Sequence, residues 1–212
     1  LLGIGGVQLF RAEVAGPVAG KLTPRVKQTA KLLWGIYVGF VLLLCLLLKL
    51  EGMSWFDALC HSFTTIATAG FSTKSASIGA FNPTIQWTII LFMFFAGTNF
   101  SLHYYFIAKG KFGYYKDLEF RVYLVLCILF SSLFFINIIG FSNYKLDISS
   151  LRHSIFTAIS ILTTTGFNTE NFNEWPEMSK TLIFFLFFIG GCAGSTTGGL
   201  KIVRSILIFR YL

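Results

Sequence analysis

The chain has 212 residues, 55% of them hydrophobic and 12% charged, with a mean hydropathy of +0.72; a soluble fold of this size cannot bury that much apolar surface. Its 17 Lys and Arg outweigh 9 Asp and Glu to leave a net charge of +8, yet the basic residues gather at the ends of apolar runs, which excludes nucleic acid as their partner and leaves membrane lipid. The 4 cysteines form no C-x-x-C pair and the 3 histidines stand apart, which excludes a disulfide framework and a metal-ligand cluster.

Residues 1–31 read as a cytoplasmic linker. Their first stretch, LLGIGGVQLF, looks like the tail of an earlier apolar segment, and the last residues, SILIFRYL, stop in mid-pattern, so a fragment of a longer protein is expected. Residues 32–50 form an apolar run long enough to cross the roughly 30 Å hydrocarbon core. SWFDALCHSFTTIA (54–67) then opens on a helix-start signal, Ser54 followed by Asp57. About a dozen residues make roughly 18 Å of helix, which is half a bilayer and no more. TAGFSTKSA (68–76) must return the chain in extended form, and such backbone is tolerated at that depth only when buried in protein or lining a watery cavity. The pattern therefore predicts a re-entrant helix and an extended return, followed by a second span over 85–108 with Asn99 bonded to a neighbouring helix.

Residues 110–121 are a basic cytoplasmic loop, 122–141 a third span, and then the phrase recurs: SILTTTGFNTEN (160–171) repeats TTIATAGFSTKS (64–75). Setting Gly70 on Gly166 aligns Thr68 with Thr164, Phe71 with Phe167 and Thr73 with Thr169 at an offset of 96. The same offset places the half-helix on 151–162 and the second span on 181–204. Residues 32–109 and 122–212 are thus two copies of one unit: span, half-helix, return, span. Basic residues precede the first copy (Arg11, Lys21, Arg25, Lys27, Lys31), separate the copies (Lys109, Lys111, Lys116, Arg121) and follow the last glycines (Lys201, Arg204, Arg210). By the positive-inside rule these faces are cytoplasmic, so the copies are parallel, not inverted. The expected fold class is an all-α polytopic membrane protein of parallel repeats, each with a re-entrant pore helix and a filter loop.

A cation leaving water needs oxygens to replace its hydration shell, and an extended strand supplies them when its carbonyls face one axis. Glycine permits the φ > 0 geometry that arranges this, a threonine adds a hydroxyl, and an aromatic braces the strand from behind. Thr68, Ala69, Gly70 and Phe71, with Thr164, Thr165, Gly166 and Phe167, are therefore the candidate ion ligands; the alternative is an aromatic-glycine packing turn. The last span is broken by GGCAGSTTGGLK (190–201). Glycine costs up to ~1 kcal/mol in a helix interior, so Gly190, Gly191, Gly194, Ser195, Thr196, Thr197, Gly198, Gly199 and Lys201 are read as an unwound polar gate, against the alternative of a small-residue packing face. Gly194-x4-Gly199 is followed by leucine, so it is no phosphate loop, and Cys192 has no base placed beside it; no enzyme is indicated.

GGVQLFRAEVAGP (5–17), LTPR (22–25), FDALCHSFTTIATAGFST (56–73) and GGCAGSTTGGLKIVR (190–204) together resemble the Trk/Ktr superfamily of potassium uptake proteins, most closely its Trk-type membrane subunit. The resemblance implies four span–loop–span repeats around one pore in a bacterial inner membrane, of which this chain holds the second and third. It further implies a homodimer, a cytosolic nucleotide-binding ring protein as regulator, K⁺ as the transported ion and no cofactor. The missing first and fourth repeats would complete the filter. An ion-coupled secondary carrier, moving the broken helix in alternating access, is the other mechanism that fits.

Overall fold

The computed structural model describes residues 26–110, 113–141 and 146–211, and the regular elements among them are helical. The linker expected over 1–31 lies outside them as far as residue 25, and so do the stretches 5–17 and 22–25.

Helix α1 (Val26–Leu50) has 25 residues, roughly 37 Å at the α-helical rise. Val41, Leu44, Cys45 and Leu48 are buried, whereas Trp34, Leu42, Leu46 and Leu50 are exposed. One stripe at i, i+3, i+4, i+7 spacing packs inward, and the other face is exposed. The half-helix α2 (Trp55–Ile66) begins where expected, with Ser54 Oγ accepting from the Asp57 N–H at 3.0 Å. The return includes a 3₁₀ turn at Ser77–Ala80. Asn82 then caps α3 (Pro83–Ala96), its side chain accepting from the Ile85 N–H at 3.0 Å, with Pro83 in the first turn.

The expected unbroken span over 85–108 is not formed. The axis turns by 99° between α3 and α4 (Phe100–Lys109). A continuous helix would bond Phe100 N–H to Ala96 O and Ser101 N–H to Gly97 O. Instead Phe100 N–H donates to Gly194 O at 3.0 Å and Ser101 N–H to Asn99 Oδ1 at 2.9 Å. The released carbonyls are claimed in turn: Gly97 O by Cys192 N–H at 2.9 Å and Ala96 O by Thr196 N–H at 3.3 Å. All four groups stay satisfied, which removes the usual penalty for breaking a buried helix. Asn99 therefore caps its own helix, and among the described residues its side chain makes no bond to a neighbouring helix.

Helix α5 (Leu118–Phe141) starts a turn earlier than the apolar run because Asp117 Oδ1 accepts from Phe120 N–H at 2.8 Å. The half-helix α6 (Ile148–Leu162) is capped by Asp147 and packs against α3, α5 and α7 (Glu177–Leu186). Residues 187–201 are not helical, and α8 (Ile202–Tyr211) follows. The half-helices α2 and α6 end on Ile66 and Leu162, which are 96 residues apart.

Candidate functional site

Both half-helices hand over to their loops in the same way. Ala69 N–H reaches back to Thr64 O at 2.8 Å, and Thr165 N–H to Ser160 O at 2.8 Å. The backbone then enters the left-handed region at Thr68 (φ 50) and Gly70 (φ 69), and again at Thr164 (φ 55) and Gly166 (φ 83). A threonine held there costs roughly 1–2 kcal/mol, and such strain persists only where the surroundings over-determine it. Among the described residues no donor meets the carbonyl oxygens of Thr68, Ala69, Gly70, Phe71, Thr164, Thr165 or Gly166. Phe167 O differs: Ser160 Oγ donates to it at 2.7 Å. The loops thus present a row of backbone oxygens free to serve another electrophile.

The two loops touch. A Cβ built on Gly70 would run into Thr165 O and lie 2.9 Å from the Thr165 carbonyl carbon, whereas the same position on Gly166 has no atom within 4 Å. Phe167 is buried, its ring 6.1 Å from His61 on α2. Phe71 is 76% exposed, so the expected bracing from behind is seen for one aromatic and not for the other.

Residues 190–201 form a compact non-helical loop against both return segments. Gly190 N–H donates to Leu200 O at 2.9 Å and Ile202 N–H to Gly191 O at 3.2 Å, closing its base. Inside, Ser195 Oγ donates to Cys192 O at 2.5 Å and Gly191 N–H to Thr197 Oγ1 at 3.1 Å. The Lys201 ammonium folds back onto Thr197, donating to its carbonyl and, at 3.0 Å, to its hydroxyl. Gly194 and Gly199 adopt positive φ (72 and 67), and a Cβ on Gly190 would collide with Gly198 O. The glycines are there for tight backbone approach.

Thr68 Oγ1 lies 2.8 Å from Ala67 O and 3.0 Å from Thr196 O, sharing its one proton between them, and Gly198 N–H donates to Thr164 Oγ1 at 2.7 Å. The hydroxyls expected as extra ion ligands are turned toward the loop, so the loop is bonded directly to both return segments. Thr164→Val removes one of these acceptors. We expect it to speed amide hydrogen exchange at Gly198 about fivefold in the bilayer-reconstituted protein, as loss of one ordinary hydrogen bond implies; an unchanged rate would show that the contact does not hold the loop.

Two features escaped the sequence reading. The break at Gly97–Thr98–Asn99 could have been found from the offset of 96, which lays it on residues 193–195 inside the glycine-rich segment. Glu119, in the first turn of α5, sends Oε1 to Ala193 N–H at 2.6 Å and Val203 N–H at 3.2 Å. It ties α5 to both sides of the loop, and no sequence pattern marks it.

The TrkH family, described as cation transport proteins, has a family model that matches residues 1–212. The Trk system potassium uptake protein TrkH of Vibrio parahaemolyticus is 42% identical over 213 residues, 98% of this chain and 44% of that protein. TrkH of Escherichia coli is 41% identical over 99% of this chain and 44% of its own length, and TrkG of Escherichia coli is 36% identical over the same shares. The crystal structure of the potassium transporter TrkH from Vibrio parahaemolyticus matches with a TM-score of 0.83 at 39% identity, over 90% of this chain and 42% of that one. The chain spans less than half the length of the relatives it matches.

Proposed function

The chain belongs to the TrkH cation transport family, and from that premise we propose that it supplies two of the filter loops of a potassium-uptake pore in a bacterial inner membrane. The carrying observation is the pair of loops with the same left-handed residues, Thr68 and Gly70, Thr164 and Gly166, and with carbonyls that no described donor claims. Backbone oxygens in that state can replace the hydration shell of K⁺ without protein groups having to be displaced first. Thr68, Ala69, Gly70 and Phe71 hold one side of the ion path and Thr164, Thr165, Gly166 and Phe167 the next. The helices α2 and α6 point their negative C-terminal ends at it.

The rest of the ring comes from the remaining repeats of a longer parent chain. The exposed Phe71 and the open space beside Gly166 are where those repeats fit. The loop 190–201, bonded to Thr68 and Thr164, is the gate. A homodimer regulated by a cytosolic nucleotide-binding ring protein is the assembly in which it works.

The test is K⁺ and Na⁺ tracer flux through the full-length parent in liposomes. Selective K⁺ flux that needs no second ion is expected. Flux that saturates and depends on a proton or sodium gradient would instead establish a coupled carrier.

A further inference from the structure

Behind each filter a side chain of the half-helix bonds a threonine of the outgoing strand, and on α2 His61 Nε2 also meets Ser72 Oγ at 3.0 Å. On α2, Asp57 Oδ1 accepts from Thr73 Oγ1 at 2.5 Å, and Lys74 lies 3.6 Å from Asp57 Oδ2. On α6, His153 Nδ1 meets Thr169 Oγ1 at 2.9 Å, and Glu170 Oε1 lies 3.2 Å from His153 Nε2. Asp57 and His153, Thr73 and Thr169, Lys74 and Glu170 are all 96 residues apart. One geometry is built twice with opposite charges: an acid with a basic neighbour, then a base with an acidic neighbour.

We propose that Asp57 and His153 are positioning residues for the ion filters, each fixing the strand that leaves the filter through the following threonine, and that the second brace answers to external acidity. The inference rests on the filter reading above. In the first brace the direction of the bond is fixed, because a carboxylate only accepts. The Ser54 hydroxyl also donates to Asp57 Oδ2, at 2.8 Å. In the second, we assign the proton to His153 Nε2, which the acceptor Glu170 favours, so that Nδ1 accepts from Thr169; the Arg152 guanidinium, a donor only at 3.3 Å from the same nitrogen, favours the opposite tautomer. With the proton on Nε2 alone, both threonines donate to their half-helices and the braces are equivalent. A second proton on the ring makes Nδ1 a donor, reverses the Thr169 bond and breaks the equivalence.

The charges around His153 are Glu170 on the return strand, and Arg152 and Asp147 on or at its own helix. Arg152 Nη2 is 3.3 Å from His153 Nε2. Gln86 of α3 contributes only a neutral oxygen, accepting from Arg152 Nε at 2.7 Å. On α7, Glu177 and Lys180 pair with each other, and Glu119 and Arg121 lie in the first turns of α5, on the side of the loop 190–201.

The experiment is the K⁺/Na⁺ uptake ratio of the full-length parent in liposomes as the outside is taken from about pH 8 to about pH 5, the range that brackets imidazole titration. Thr169→Val is expected to lower the ratio roughly fivefold at neutral pH, the factor that one lost hydrogen bond carries, while Thr169→Ser retains it. Wild-type protein should lose selectivity as the outside is acidified. His153→Asp with Glu170→Lys, which transplants the first brace into the second position, should retain neutral-pH selectivity and remove the acid response. Thr169→Val and the double variant both matching wild type in ratio and pH profile would overturn the braces while leaving the filter standing. A parent that shows no K⁺ selectivity at all removes the filter reading, and this inference with it.

Discussion

Gly70→Ala is expected to cost the full-length protein most of its preference for K⁺ over Na⁺, and to do so by a route that Gly166→Ala does not share within this chain. At both positions φ is positive, and an alanine in that region carries roughly 1–2 kcal/mol of strain, about tenfold in any equilibrium it biases. At Gly70 there is a second term. Its new Cβ would occupy the place of Thr165 O, a candidate ligand of the neighbouring loop, with the Gly166 carbonyl carbon at 3.3 Å behind it. Backbone atoms cannot swing aside as a flexible side chain can, so the two strands must part and the oxygens on both lose their spacing. Around Gly166 nothing lies within 4 Å, and among the described residues only the strain applies. The K⁺/Na⁺ flux ratio and the melting temperature of purified protein should therefore separate the two variants, with Gly70→Ala worse in both. Equal, small effects on selectivity would mean that the loops do not bind the ion through their carbonyls.

The features legible in the sequence were those carried by local chemistry repeated at a fixed distance. Ser54, the brevity of α2, Thr68 to Phe71 and their copies at Thr164 to Phe167 needed only neighbours in sequence to be recognised, and the offset of 96 made coincidence improbable. The features that were not legible depend on partners far along the chain. Hydropathy over 85–108 reads as one span because Gly97, Thr98 and Asn99 are too few to interrupt it; the bend exists because Gly194, Cys192 and Thr196 take over the hydrogen bonds that the helix gives up. Thr68 and Thr164 read as ion ligands in the sequence, which does not reveal that Thr196 and Gly198 fold against them. The paired braces were hidden for another reason. Asp57 and His153 share a position and a geometry but no residue type, so alignment by identity passes over them.

Glu119→Ala should release the loop 190–201 from α5 and raise K⁺ flux through the resting protein. The carboxylate accepts two backbone N–H groups, Ala193 at 2.6 Å and Val203 at 3.2 Å, one inside the glycine-rich segment and one just past it in α8. Removing it leaves both amides without that partner, and hydrogen bonds to a charged group are worth about 1.5–3 kcal/mol each. The loop keeps its bonds to Thr68, Thr164 and the bend at Ala96, Gly97 and Phe100, so the change frees it from α5 alone. Glu119→Gln keeps one carbonyl oxygen in the same place and should show a smaller rise, since only the charge assistance is lost. Flux measured in liposomes, with amide exchange across 190–201 as the structural readout, distinguishes the outcomes. Faster exchange together with greater flux identifies the loop as the barrier to conduction. Faster exchange with unchanged flux would mean that the loop moves but does not obstruct the ion, and the gate would have to lie elsewhere along the pore.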